Sequence, residues 1–199
     1  TSDLVLGLSG PRARVLDLQD GLLFQENLYL SLSRHNITRR GCRHLSKLLR
    51  EDSSLASLDL GLNPIAAGSW CLCEALKKPS CNLRCLGLCS CSIPPSCCQG
   101  LASVLLSAQR LETLDLGQNI LGRSGITVLL EALKQNNGPL KSLRLEMDES
   151  STEIQKLLKD VKDINPNLTI ECSDARATRS LWGELLPLHP EDLLSDPVP

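Results

Sequence analysis

The sequence predicts an α/β solenoid, a curved horseshoe segment with parallel strands on its concave face and helices on its convex face. Three observations predict it. Leucine supplies 44 of 199 residues against four aromatics (Phe24, Tyr29, Trp70, Trp182), which suggests one aliphatic packing unit used many times. A frame LxxLxLxxNxL, complete at Leu111, Leu114, Leu116, Asn119 and Leu121, recurs along the chain, and its third leucines fall at 32, 60, 88, 116 and 145. Each copy changes period halfway, from alternation, as in a half-buried strand, to apolar residues at helical spacing.

The copies follow in order. The first is imperfect (Leu30, Leu32, His35, Ile37). The next two are full (Leu55, Leu58, Leu60, Asn63, Ile65, and Leu83, Leu86, Leu88, Cys91, Ile93), and a partial one has Leu140, Leu143 and Leu145. Helical faces follow at Gly41-Cys42…Leu45…Leu48-Leu49, Gly68…Leu72…Ala75-Leu76, Cys97-Cys98…Leu101…Val104-Leu105 and Gly125-Ile126…Leu129…Ala132-Leu133. No unit of this size buries both of its faces alone, so neighbours stack, strand beside strand and helix beside helix. A helix is about 10 Å wide and strands sit about 4.8 Å apart, so the stack bends with its strands inside.

Asn63 and Asn119 stand where the chain leaves the strand and turns, with inward-facing backbone groups in need of partners. A carboxamide supplies both donor and acceptor there. Cys91 is the small substitute at that position, and His35 the odd one. Segment 1–27 reads as an irregular N-terminal unit or cap and 28–172 as the repeats with a final helix, introduced by a capping-box spelling at Ser150–Glu153. Asn165-Pro166 stops that helix, Leu168–Ile170 offers one closing strand, and 173–199, acidic and Pro-containing, reads as a linker or tail.

These residues resemble the leucine-rich repeats of the ribonuclease-inhibitor type over roughly residues 28–170. Within that class Leu58–Asn63 and Leu114–Asn119 resemble the repeat domain of a cytosolic, NACHT-containing innate immune receptor of the NLRP kind. The tail beyond 172 is similar to the connection to a further C-terminal domain, as in the inflammasome sensor of this family whose repeats precede a self-cleaving domain and a CARD. The resemblance implies a non-enzymatic interaction and regulatory module, sensing a partner or a pathogen- or danger-derived ligand and restraining its parent receptor in the cytoplasm. The ATP-binding apparatus of such receptors is not encoded here, because no GxxxxGK[ST] occurs, and no cofactor is expected. A ribonuclease-inhibitor-like blocker of an enzyme is the alternative, disfavoured by the short array.

Other chemistries find little support. A net charge of −2 and four scattered aromatics suit neither a nucleic-acid footprint nor a stacking platform. No apolar run approaches the roughly 18 residues of a membrane span. The chain opens Thr-Ser-Asp and reads as a fragment or processed product. Charge is uneven: residues 1–50 carry eight Lys/Arg against four Asp/Glu, and 146–199 five against twelve.

Ten cysteines, crowded between Cys81 and Cys98, raise a metal or thiol-enzyme reading, but the spacing lacks paired C-x₂-C units. The repeat explains several as small core hydrophobes: Cys42 and Cys98 in a buried helical position, Cys91 in the Asn position, Cys97 for the turn glycine. Cys85 is the exception, expected on the inner strand face. The sequons at Asn36 and Asn167 point toward secretion, outweighed by adjacent cysteines unsuited to an ordered disulfide framework. His35, His44 and His189 form no base–nucleophile pair, and Asp59 and Asp115 should lie about 10 Å apart, two strands away.

The expected partner surface is therefore the inner face. One column holds Ser31, Asp59, Gly87, Asp115 and Arg144; a second holds Ala56, Arg84, Glu112 and Lys141; a third holds Tyr29, Ser57, Cys85, Thr113 and Ser142. Together they should form a solvated wall of mixed sign. Partner-binding residues expected from these columns are Tyr29, Ser31, Asp59, Arg84, Cys85, Glu112, Asp115, Lys141 and Arg144. Arg39, Arg40 and Arg43 make a second charged patch on the outer side, read as solvated charge.

Overall fold

A computed structural model describes residues 28–51 and 55–172. The expectations for 1–27 and 173–199 lie outside the described residues. Six strands run in sequence order, all parallel: β1 (Leu28–Ser31), β2 (Leu55–Asp59), β3 (Cys85–Gly87), β4 (Thr113–Asp115), β5 (Ser142–Leu145) and β6 (Thr169–Cys172). Five helices alternate with them: α1 (Arg39–Arg50), α2 (Ser69–Leu76), α3 (Cys98–Ser107), α4 (Gly122–Gln135) and α5 (Thr152–Ile164). Short 3₁₀ turns, Ala66–Gly68 and Pro95–Cys97, lead into α2 and α3.

The register reproduces the sequence frame. Leu30, Leu58, Leu86, Leu114, Leu143 and Ile170 are successive neighbours across the sheet. Leu58, Leu86, Leu114 and Leu143 are fully buried. The ladder continues past the strand ends, where the N–H groups of Leu32, Leu60, Leu88 and Leu116 donate to the carbonyls of Asp59, Gly87, Asp115 and Arg144. Each unit thus leans on the next, the condition under which a solenoid folds as a cooperative stack.

The turn asparagines behave as the frame requires. Asn63 Oδ1 accepts the N–H groups of His35 and Ile37 (3.0 and 2.9 Å), and its Nδ2 donates to the carbonyls of Leu32, Leu60 and Gly61. Asn119 repeats the pattern two slabs further on, with Cys91 and Ile93 N–H as donors and the Leu88, Leu116 and Gly117 carbonyls as acceptors. Where the following unit lacks the carboxamide, the turn closes on itself. Facing Cys91, the Ile65 N–H donates to the Asn63 carbonyl; facing Asp148, the Leu121 N–H donates to the Asn119 carbonyl. Cys91 keeps half of the role, its thiol donating to the Leu60 carbonyl at 3.1 Å. His35 is exposed and its Nδ1 pairs only with the Ser33 carbonyl.

Two expectations need correction. The Ser150–Glu153 capping box does not form, because α5 begins one residue later than that spelling demands. Its N-cap is Ser151, without a side-chain cap, and Ser150 instead closes a turn on Asp148 Oδ1. The second correction concerns the inner wall.

Candidate functional site

Topology brings all three predicted columns onto the strand face. Ser31, Asp59, Gly87, Asp115 and Arg144 are neighbours in register, extended by Glu171 of β6. Asp59 and Asp115 are two strands apart, as expected. This column is not a solvated wall, however. Asp59, Asp115 and Arg144 are only 8%, 0% and 9% exposed. The Asp59 and Asp115 carboxylates each reach forward two residues to accept the N–H of Gly61 and Gly117 at 2.9 Å. Arg144 Nη1 lies 3.8 Å from Asp115 Oδ2 on the next strand. Burial raises the Asp59 carboxyl above its ordinary range, the Gly61 N–H opposing that shift. These aspartates hold the strand-to-turn corner; they present no open carboxylate to a partner. Ser31, on the edge strand, is exposed, and Tyr29 is half-buried.

The second column behaves differently. Arg84, Glu112 and Lys141 sit where the chain enters β3, β4 and β5, their backbones linked by the ladder. Arg84 donates through Nε and Nη2 to Glu112 Oε1 (2.9 and 2.6 Å), while Lys141 Nζ donates to Glu112 Oε2 at 2.8 Å. Both carboxylate oxygens are therefore held by cations from the units on either side. The Lys141 hydrogen bond, with help from Arg84, keeps the Glu112 carboxyl below the ordinary glutamate range. Beside this ladder opens a cleft of about 420 Å³, edged by Asn82 and Arg110, which are hydrogen-bonded to each other. Sequence reading placed the three charges in one column but missed their pairing. The 28- and 29-residue separations, with alternating sign, were the available signal.

The thiols are largely quiet. Cys42, Cys73, Cys91 and Cys98 are buried, and burial pushes the first three up to about 12 and Cys98 to about 11, so they are neutral thiols at physiological pH. Burial also raises Cys81 and Cys89. Cys85 is half-buried on the inner face. Among the described residues no group of three His, Cys, Asp or Glu side chains could hold a metal ion. No described helix is long and apolar enough to cross a membrane.

Stacked units of strand, carboxamide-braced turn and helix, 28–29 residues long, define a leucine-rich-repeat solenoid. Solved structures agree at the level of fold: leiomodin-1 actin-binding site 2 (TM-score 0.57, 17% identity, 68% of this chain and 81% of that one) and the tropomodulin C-terminal domain of Caenorhabditis elegans (0.56, 16%, same coverage). No protein-family model matches the chain. The particular kind is set by sequence relatives. The chain is 50% identical over 157 residues to human NACHT, LRR and PYD domains-containing protein 2, and 41% over 150 residues to human protein 7 of the same series. Mouse protein 4C is 38% identical over 135 residues. It is an NLRP-like leucine-rich-repeat domain. These matches take in 77%, 75% and 67% of the chain but only 14–15% of each relative.

Proposed function

We propose that this domain is a non-enzymatic protein-binding module of an NLRP-type receptor, and that its contact surface is the strand-entry rim of the inner face. The observation that carries the reading is the Arg84–Glu112–Lys141 ladder. It pre-orients charged side chains across three units beside an open cleft, so little side-chain entropy remains to be lost on binding. Ser31, Tyr29 and Cys85 widen the patch along the same face. Asp59, Asp115 and Arg144 contribute by holding the face in shape.

Within the longer receptor, the proposed roles are partner or ligand sensing and autoinhibition in the cytoplasm, in an inflammasome-type innate immune response. The NLRP relatives support that setting. The test is an interaction screen with the chain fused to a proximity-labelling enzyme, compared with an Arg84→Ala/Lys141→Ala variant. Loss of the specific partners on the variant, with circular dichroism unchanged, supports the rim. An unchanged partner set overturns it. Six strands span only about 24 Å, too short an arc to surround an enzyme, so the purified chain should leave ribonuclease activity untouched.

A further inference from the structure

Helix α1 carries one sign of charge along its whole exposed face. Its exposed residues are Arg39, Arg40, Arg43, Lys47 and Arg50, every one a cation. At about 100° per residue they fall within one arc of roughly 100°, a stripe about 16 Å long. Four like-charged i,i+3 or i,i+4 pairs result (39–43, 40–43, 43–47, 47–50), each unfavourable to the helix. Arg39 and Arg40 also occupy the first turn, where the dipole disfavours cations, with no acidic residue and no side-chain cap in compensation. Lys47 meets Glu51 at 3.6 Å. Among the described residues Arg39, Arg40 and Arg43 have no carboxylate partner. Elsewhere the charged helices pair opposite signs, as in Glu74 of α2 with Lys77 just past its end and Glu131–Lys134–Asp160 across α4 and α5.

A local arrangement that costs stability without structural gain marks a functional surface. We propose that the outer face of α1 is a docking site for a short acidic segment of a partner protein. Same-face carboxylates recur every 6 to 7 Å along a helix or an extended chain, close to the roughly 6 Å steps from Arg39 to Arg43 to Lys47. A nucleic acid or a membrane would need the basic track to continue. Past α1 it ends quickly: α2 exposes Trp70 and Glu74, Lys77 beyond it is tied to Glu74, Lys78 adds one exposed cation near the C-terminal end of α1, and α3 carries no charge. The acidic tail of this chain is the poorer occupant, since it leaves the sheet at β6, the edge opposite β1, and spreads Glu184, Glu191, Asp192 and Asp196 among prolines.

The test uses the full chain and a fluorescent ten-residue polyglutamate peptide, with polyglutamine as control, followed by anisotropy at 50 and 200 mM NaCl. The wild type should bind polyglutamate and weaken severalfold at the higher salt, as screening of exposed charge demands. Arg39→Glu/Arg40→Glu/Arg43→Glu should lose at least tenfold in affinity while its Tm rises by about 2–4 °C, because acidic side chains in the first turn suit the helix dipole and one at position 43 pairs with Lys47. Replacing the same three by lysine should retain binding within about threefold. Arg84→Ala/Lys141→Ala should leave it unchanged, which separates this site from the inner rim. Equal binding by the charge-reversed variant overturns the proposal, as does a fall in its Tm. So does tighter capture of a ten-nucleotide single-stranded DNA or of phosphatidylserine vesicles. Neutralising the five tail acids (Asp174, Glu184, Glu191, Asp192 and Asp196) by Gln and Asn should not alter affinity; a tenfold gain would identify the tail as the occupant and refute the partner segment.

Discussion

Replacing Asn119 by alanine removes five hydrogen bonds, three of which stitch one turn to the one before it while two hold its own turn. The site is buried, at 1% exposure, so water does not replace the lost partners. Each bond contributes roughly 1 kcal/mol net, and a buried group left without a partner costs about 1–3 kcal/mol. The sum is not fully realised. The turn at Asn63 shows an escape, since the corresponding N–H of Ile65 finds a carbonyl of its own turn, and Ile93 can relax likewise. About 3 kcal/mol is the expected loss, a large share of the 5–15 kcal/mol by which a domain is stable. With a urea m-value near 2 kcal/mol/M, the far-UV circular dichroism midpoint should fall by about 1.5 M. Asn119→Cys should lose less, near 2 kcal/mol, because a thiol there donates as Cys91 does. A midpoint change under about 0.3 M for Asn119→Ala would refute the claim that the carboxamides brace the stack.

Three other perturbations follow the same logic. At Gly68 a Cβ would stand 2.8 Å from the Arg39 Cα, so Gly68→Ala should force α1 and α2 apart and cost about 1–3 kcal/mol by the same denaturation assay. Brief iodoacetamide treatment of the native chain, read by mass spectrometry, should spare Cys42, Cys73, Cys91 and Cys98, whose buried thiols resist ionisation; fast labelling of these four would contradict the packing. Glu112 has a folded-state pKa below its unfolded value of about 4.5. Its pairing is therefore present above that pH and is lost as pH falls through the folded value. Glu112→Gln should flatten that acid limb of the stability profile and leave neutral-pH stability within about 1 kcal/mol, since the ladder is partly exposed.

Much of the architecture was legible because the repeat fixes register as well as elements. Leu58, Leu86 and Leu114 announce a 28-residue step, and the step alone makes them neighbours. Asn63 and Asn119 were legible for the same reason, as polar residues in an otherwise apolar frame. The inner wall was misread because alternation marks Asp59 and Asp115 as outward-facing without saying how closely the turn folds over them. Their spelling, Asp-Leu-Gly, was the missed clue, a carboxylate two residues before a glycine whose N–H it can accept. Backbone conformation was less legible still. Arg34, Leu62, Ser90 and Gln118 share one left-handed turn position at φ 54–60°, yet none is a residue that advertises such a turn. The α5 start was misplaced because Ser150 and Ser151 both spell a cap, and only the Asp148 turn chooses between them.

Methyl–methyl NOE spectroscopy on a leucine-labelled sample tests the stacked register most directly. Cross-peaks linking Leu58 to Leu86 and Leu86 to Leu114, with none between Leu58 and Leu114, are the predicted result. Direct Leu58–Leu114 contacts, or silence between adjacent units, would contradict the solenoid and both binding surfaces read from it.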